Sequence, residues 1–266
     1  MNFLPKRNVV LIEFFRTAVA CFLGISVGLG AVAQAQTPAM PSPQVAIPQQ
    51  QTLSYSVDWR VFPAGTATFH LQAQGDTENV IATAASIGAV YLLFPVADSY
   101  TGTFDRSTGC SHEYTKQIHE GYRRLTGKLT MDYAQHEQVL SEKNLGSGIS
   151  KKLSAPIPNC VTDVLSGIFY LASQPLLVGH DVAFPLADGG HVVAVTAKVE
   201  AHEQVITPAG TFATVRVEPT ADAGVVKNRG NIWIWYTDDA RHLPVQVRAH
   251  LFWGTITLRL TRVTTP

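Results

Sequence analysis

The residue types that could do chemistry are all present in this 266-residue chain, but their spacing assembles no familiar site. Nine histidines fall at His70, His112, His119, His136, His180, His191, His202, His242 and His250. They form no His-x-His pair and no His-Glu-x-x-His, so a metal site is not expected, and the scatter fits solvated strand faces. Ser166 precedes Gly167, as a hydrolase nucleophile often does. Residue 164 is Val, however, so the Gly-x-Ser-x-Gly elbow is missing and local hydrogen bonding is the expected role. Asp238 and Asp239 are adjacent carboxylates, but they lie between a strand and Leu243-Pro244, where turn formation accounts for them better than acid–base work. No glycine-rich loop leads from a strand into a helix, and no cofactor is expected.

Outside residues 1–35, only Cys110 and Cys160 remain of the three cysteines. In an oxidising compartment their natural product is one disulfide, with two free buried thiols as the alternative. Two lone cysteines are too few for a structural metal site.

The elements that would carry these residues are mostly strands. Leu53 to Val61 is apolar at every odd position and polar at every even one, which defines a half-buried strand. Comparable segments are Thr66–Gln72, Asn79–Ala85, Tyr100–Phe104, His112–Ile118, Leu125–Tyr133, Gln138–Glu142, Asp181–Leu186, Val193–Ala201, Ala213–Val217, Ile232–Tyr236, Val245–Trp253 and Thr255–Val263. Turn clusters such as Gly75-Asp76 and Asp188-Gly189-Gly190 punctuate them, the pattern of an antiparallel meander. Pro-Ala-Gly-Thr occurs twice, at 63–66 and 208–211, and reads as reused turn chemistry.

One mature segment reads as helix. Val164, Leu165, Ile168, Phe169 and Ala172 fall on one face at 3.6 residues per turn, with Thr162 as expected N-cap, Asp163 at the positive end of the dipole and Pro175 as terminator. A lone helix in a β-rich chain must bury its apolar face on a sheet. The expected fold is therefore all-β, mainly antiparallel, a curled sheet or incomplete barrel with one principal helix over Asp163–Ser173 packed in or across it. Val90–Val96 breaks the alternation; a connection tucked into the core, or a short helix under the sheet, is preferred to an apolar lid.

The chain start has the marks of a secretory signal peptide. Lys6, Arg7 and Arg16 precede an apolar run from Thr17 to Val32, followed by small residues that suit cleavage after Ala33 or Ala35. The organisation read from sequence is a signal peptide at 1–35, a Pro/Gln-rich disordered linker at 36–51, and a single β-rich domain at 52–266. Without residues 1–35 the chain holds 17 basic and 19 acidic residues, so it has no electrostatic footprint for nucleic acid. The expected location is the periplasm.

Several stretches together resemble a family of exported bacterial proteins of unknown function, the domain-of-unknown-function 3108 family. They are Tyr55 through Gly65-Thr66, Asp163-x-x-Ser166, Pro208-Ala209-Gly210-Thr211-Phe212, and Trp235 through Val245 with Gly254 beyond. The resemblance covers about residues 52–263 and implies a periplasmic or surface-facing β-rich domain with an inserted helix; it implies no activity. Relatives tend to show tyrosine and arginine late in the helix, where this chain has Phe169 and Ala172. Helix and sheet also look loosely like the lipoprotein-carrier architecture, an analogy of fold alone.

These readings lead to an expectation of a non-catalytic envelope protein that takes an apolar or amphipathic ligand, such as a lipid, between helix and sheet. Leu165, Ile168 and Phe169 on the helix, Trp233 and Trp235 on an aromatic strand, and Leu92 and Phe94 in the apolar break are the candidate contacts. The alternative is a structural or assembly factor that meets another envelope protein through an exposed strand edge. A hydrolase ranks third.

Overall fold

The computed structural model describes residues 37–221, 230–251 and 254–265. The expected signal peptide lies outside the described residues. The first half of the body is β1 (Gln50–Trp59), β2 (Phe62–Gln74), β3 (Thr77–Ser86), α1 (Gly88–Leu93), β4 (Ala97–Asp105), β5 (Ser111–Glu120), β6 (Arg123–Asp132), β7 (Glu137–Asn144) and β8 (Ser150–Pro156). The second half is β9 (Thr162–Asp163), α2 (Ser166–Ala172), β10 (Asp181–Asp188), β11 (His191–Thr207), β12 (Gly210–Ala221), β13 (Asn231–Thr237), β14 (Pro244–Leu251) and β15 (Gly254–Thr264).

The fifteen strands among the described residues join one sheet in the order β8-β7-β6-β5-β4-β3-β2-β1-β15-β14-β13-β12-β11-β10-β9. Every pairing is antiparallel except β9 with β10. The sheet is thus two sequential meanders joined at a seam, where β1 lies against β15 with Leu53 opposite Val263. It does not close into a barrel, but it curls: Leu153 of β8 lies over Gly190 of the β10–β11 turn, where a Cβ would meet its side chain at 3.1 Å.

Strand alternation sets the two faces. Leu71, Val80, Gly102, Tyr114, Leu129, Leu140 and Leu153 follow one another across seven strands as register partners on the inner face. The apolar core of the second half gathers Phe184, Val195, Val199, Val217, Ile234 and Tyr236 under Tyr170 and Leu171 of α2. Burying one such side chain contributes about 1.5–3 kcal/mol, so this cluster fixes the helix to the sheet.

Three expectations need correction, and one strand has no counterpart among them. The helix starts at Ser166 rather than Asp163, and Thr162 is not its cap; Thr162 and Asp163 form β9 beside Leu186 and Ala187. Residues 37–49 are no free linker. The Gln44 and Val45 amides donate to the Ser173 carbonyl at 2.8 and 2.9 Å, and Ile47 is buried. The strand β8 has no sequence signal, since its Lys151-Lys152 and Pro156 look like loop residues. The helix α1 is neither tucked into the core nor under the sheet: it buries no residue, and Leu92 and Leu93 are 82% and 85% exposed.

The two Pro-Ala-Gly-Thr segments do different work. At Pro208-Ala209 the segment is the hairpin turn itself, with Thr207 opposite Gly210. At Pro63 the turn has already been made at Arg60-Val61, and the register slips between Val57/Gly65 and Asp58/Pro63, so Ala64 is the extra residue of a bulge.

Candidate functional site

The expected contact residues fall in three separate places. Leu165 and Phe169 are buried between α2 and the sheet. The Phe169 ring meets Phe69 edge-on at 5.8 Å, Phe69 meets Tyr55 at 5.5 Å, and the Tyr55 hydroxyl donates to the Pro244 carbonyl. The carbonyl of Ile168 accepts from the Tyr236 hydroxyl at 2.8 Å. Tyr170 packs on Phe184 at 5.2 Å, and its hydroxyl donates to the Pro41 carbonyl at 2.8 Å. The protein's own side chains occupy this contact, and residues 37–49 wrap the helix from outside.

Trp233 and Trp235 sit on the opposite face of β13. Trp235 donates from Nε1 to Glu203 at 2.7 Å and lies under the Arg248 guanidinium at 5.3 Å, while Arg216 pairs with Glu200 at 2.6 Å and with Glu203. That face is a charged girdle holding an aromatic ring. Leu92 is in solvent on α1, and Phe94 rests on Gly121 of the β5–β6 turn, where a Cβ would meet its ring at 3.0 Å.

Sequence reasoning gave Asp163 only a helix-end role, yet it is the hub of a buried polar network. Its Oδ1 accepts from the Leu165 and Ser166 amides at 2.8 and 2.9 Å, and its Oδ2 accepts from the Ser166 and Ser111 hydroxyls at 2.5 and 2.7 Å. The Ser111 hydroxyl in turn accepts from the Asp163 amide at 2.9 Å. Tyr133 adds its hydroxyl to the Ser111 and Val161 carbonyls at 2.6 and 3.2 Å. Burial pushes the Asp163 carboxyl up, and the donors around it pull it partly back. Ser166 is fully buried and its hydroxyl is spent on Asp163, so it has no open route to a substrate. The Asp-x-x-Ser spacing was the available signal, and its meaning is architectural.

The inner face of β4 to β8 carries charge at mid-sheet. Tyr100, Lys116, Gly127, Glu142 and Lys151 are register partners in one row. Lys116 reaches across Gly127, where a Cβ would meet its stem at 2.6 Å, to pair with Glu142 at 2.7 Å. Beside them Asp98 accepts from the His119 amide at 2.8 Å and the Tyr100 hydroxyl at 3.1 Å; burial pushes Asp98 up, and burial with the nearby carboxylates pushes Tyr100 well up. Among the described residues no cluster of three or more His, Cys, Asp or Glu is placed to hold a metal.

An open depression of about 510 Å³ lies along β5 to β8, lined by Lys116, Gly127, Glu142 and Lys151 of that row and by residues of the opposite parity. Its lining alternates short hydroxyl residues with cations: Thr115, Lys128, Ser141 and Lys152 make one cross-strand row, with Thr126 and Lys143 in the next. Lys128 pairs with Glu113 at 2.7 Å.

The row ends at β8, an edge. Asn144 N donates to the Ile149 carbonyl at 2.8 Å and Ile157 N to the His136 carbonyl at 2.9 Å, which fixes the alternation along the β7–β8 ladder. Lys151, Leu153 and Ala155 then bond inward to β7, while the amides of Lys152 and Ser154 point to the open side. Pro156 has no N–H to expose. The cysteines are joined: Cys110, in the β4–β5 turn, and Cys160, just before β9, form a disulfide with Cα atoms 5.1 Å apart.

Fold and site together define a β-rich protein with a long curled antiparallel sheet, a buried helix and one bare cationic edge. The chain belongs to the family DUF3108, a protein family of unknown function, whose model matches residues 54–261. No curated protein matches it. Among solved structures it is similar to a β-barrel-like protein of the DUF1849 domain family from Brucella abortus. That match has a TM-score of 0.55 at 9% identity and covers 84% of this chain and 99% of that one. It also matches a candidate exported protein with a YmcC-like fold from Bacteroides fragilis at TM-score 0.38 and 9% identity, covering 85% of this chain and 100% of that one. A candidate lipoprotein from Parabacteroides distasonis matches at TM-score 0.32 and 8% identity, covering 84% and 99%.

Proposed function

We propose that this is a non-catalytic protein of the bacterial envelope, exported to the periplasm, that acts by pairing the edge of β8 with a strand of another envelope protein. The observation that carries this reading is the open side of β8, where the Lys152 and Ser154 amides have no neighbouring strand among the described residues. An extended segment laid there would gain main-chain hydrogen bonds, and its side chains would meet Lys152 and the hydroxyl row beside it. A partner strand bearing carboxylates fits that surface, because opposite charge offsets the lysine that otherwise guards the edge. Export is supported by the charged and apolar start of the chain and by a disulfide of the kind that persists in oxidising compartments.

The rival reading, an apolar ligand between α2 and the sheet, has less room in this geometry, since Phe69, Phe169 and Tyr236 fill the contact. One experiment separates the two. Ser154→Pro removes an outward amide while sparing the bonds to β7. Co-purification of an envelope protein with the wild type, lost in Ser154→Pro, supports edge pairing. Mass spectrometry that instead finds a stoichiometric lipid in organic extracts of both proteins overturns it in favour of the ligand.

A further inference from the structure

The hairpins at one end of the first meander differ from those at the other. Val61 and Phe62 lie at the β1–β2 hairpin, Leu92 and Leu93 on α1 between β3 and β4, Tyr122 between β5 and β6, and Ile149 between β7 and β8. Their exposures are 82%, 63%, 82%, 85%, 104% and 69%, an arrangement opposite to the burial expected of such side chains. Main-chain bonds tie these hairpins to one another in order. The Ile87 amide donates to the Ala64 carbonyl at 3.0 Å, Gly121 to Pro95 at 2.8 Å, and Leu145 to Arg124 at 2.8 Å. The four tips therefore form a continuous rim rather than isolated apolar residues, and contiguity is what distinguishes an interaction surface.

The charge at this rim has one sign to spare. Besides Arg123, which pairs with Glu120, the same hairpins carry Arg124, Lys143, Lys151 and Lys152. The carboxylates near them are Asp58, Glu120 and Glu142, ion-paired with Arg259, Arg123 and Lys116, and Asp98, which is buried and accepts from the His119 amide and the Tyr100 hydroxyl. The helix α1 has no charged residue at all. At the opposite end of the same strands the turns hold Asp76, Asp105 and Asp132 with small polar neighbours, and the Asp105 carboxylate is spent on Ser107 and Thr108.

From these observations we infer that the rim formed by Val61, Phe62, Leu92, Leu93, Tyr122 and Ile149 docks on the surface of an anionic lipid bilayer. Leucine and aromatic tips enter the headgroup boundary while the flanking arginines and lysines meet lipid phosphates, the chemistry by which peripheral proteins lie on membranes. The apolar tips lie at the end of the sheet and adjoin the edge of β8 at Lys151 and Lys152.

The test is vesicle co-sedimentation of the full chain with phosphatidylcholine vesicles containing phosphatidylglycerol, and with phosphatidylcholine alone. Three variants are compared with the wild type: Leu92→Asp/Leu93→Asp on α1, Tyr122→Asp on a different hairpin, and Ile206→Asp, an exposed residue at the far end. The α1 pair takes nothing from the core, and unchanged circular dichroism verifies each fold. The expected result is binding of wild type and Ile206→Asp to the anionic vesicles, weakened by salt, and a loss of about tenfold or more in the two rim variants. Equal sedimentation of all four proteins overturns the inference, as does failure of the wild type to bind. Self-association on gel filtration that Leu92→Asp/Leu93→Asp abolishes, without vesicle binding, overturns it in favour of a second copy.

Discussion

Ser111 and Asp163 exchange two hydrogen bonds across 52 residues of sequence: the serine hydroxyl donates to Oδ2 at 2.7 Å and accepts from the aspartate amide at 2.9 Å. The pair holds the start of β5 against β9 and aims the remaining carboxylate oxygen at the first turn of α2. Replacing Asp163 by Ala strands two hydroxyls and two buried amides, for a cost on the order of 3 kcal/mol or more. Asn retains an acceptor for the Leu165 and Ser166 amides and can donate to the hydroxyls, so about half that loss is expected. Urea denaturation of both variants checks the order, and an Asn variant as damaged as Ala would show that the charge, rather than the bonding pattern, matters.

Much of this arrangement could be read from alternation. The strands β1, β6 and β11 announce themselves because one face is core and the other water, and the parity of Ile232–Tyr236 correctly separates the tryptophans from Ile234 and Tyr236. Parity does not say which face meets the helix: Trp233 and Trp235 share the face away from Phe169, and Trp235 belongs to the girdle around Arg216. Composition misled at residues 37–49 for a similar reason: the segment is held mainly by main-chain bonds to Ser173 and the hydroxyl of Tyr170, and composition does not report backbone partners. The helix boundary failed at Thr162 because Ser111, remote in sequence, draws Asp163 into strand.

Gly102 faces this hub on the inner side of β4. A Cβ there would lie 2.7 Å from the Ser166 hydroxyl and 3.3 Å from both carboxylate oxygens of Asp163. Gly102→Ala is expected to destabilise by about 1–3 kcal/mol. Combined with Ser166→Ala, which removes the crowded hydroxyl, the loss falls short of the sum of the two single variants. A double-mutant cycle in urea measures the coupling; strict additivity would mean that the clash is relieved elsewhere.

Glu78 is fully buried, paired with Arg106, whose other nitrogen donates to the Ile47 carbonyl at 2.7 Å. Burial outweighs the cation and pushes the carboxyl up from 4.5 to about 7. A carboxyl raised in the folded state binds its proton more tightly there than in the unfolded chain. Stability from this group is therefore present at low pH and is lost as pH rises from about 4.5 to about 7. The stability difference between wild type and Glu78→Gln should move in favour of Gln across that window. A difference that is flat with pH, or runs the other way, would contradict the assignment.

The disulfide spans 50 residues and ties the β4–β5 turn to the segment entering β9. In the chain-entropy model a loop of this size is worth about 4 kcal/mol. Cys110→Ala/Cys160→Ala is expected to lose most of that in chemical denaturation. Thiol titration of the unreduced, denatured wild type should find neither residue 110 nor residue 160 free.

The seam between β1 and β15 imposes a timetable on a chain made from its N-terminus. Strands β2 to β8 can each add to the strand just completed, but one side of β1 waits for β15, the last strand synthesised. Through that interval Leu53, Tyr55 and Val57 border a bare backbone edge at the middle of the eventual sheet, the arrangement that recruits foreign strands. A nascent chain arrested before Gly254 keeps that edge permanently. Holding it back until release, by a chaperone or by the machinery that passes the chain along, is the protection this connectivity demands.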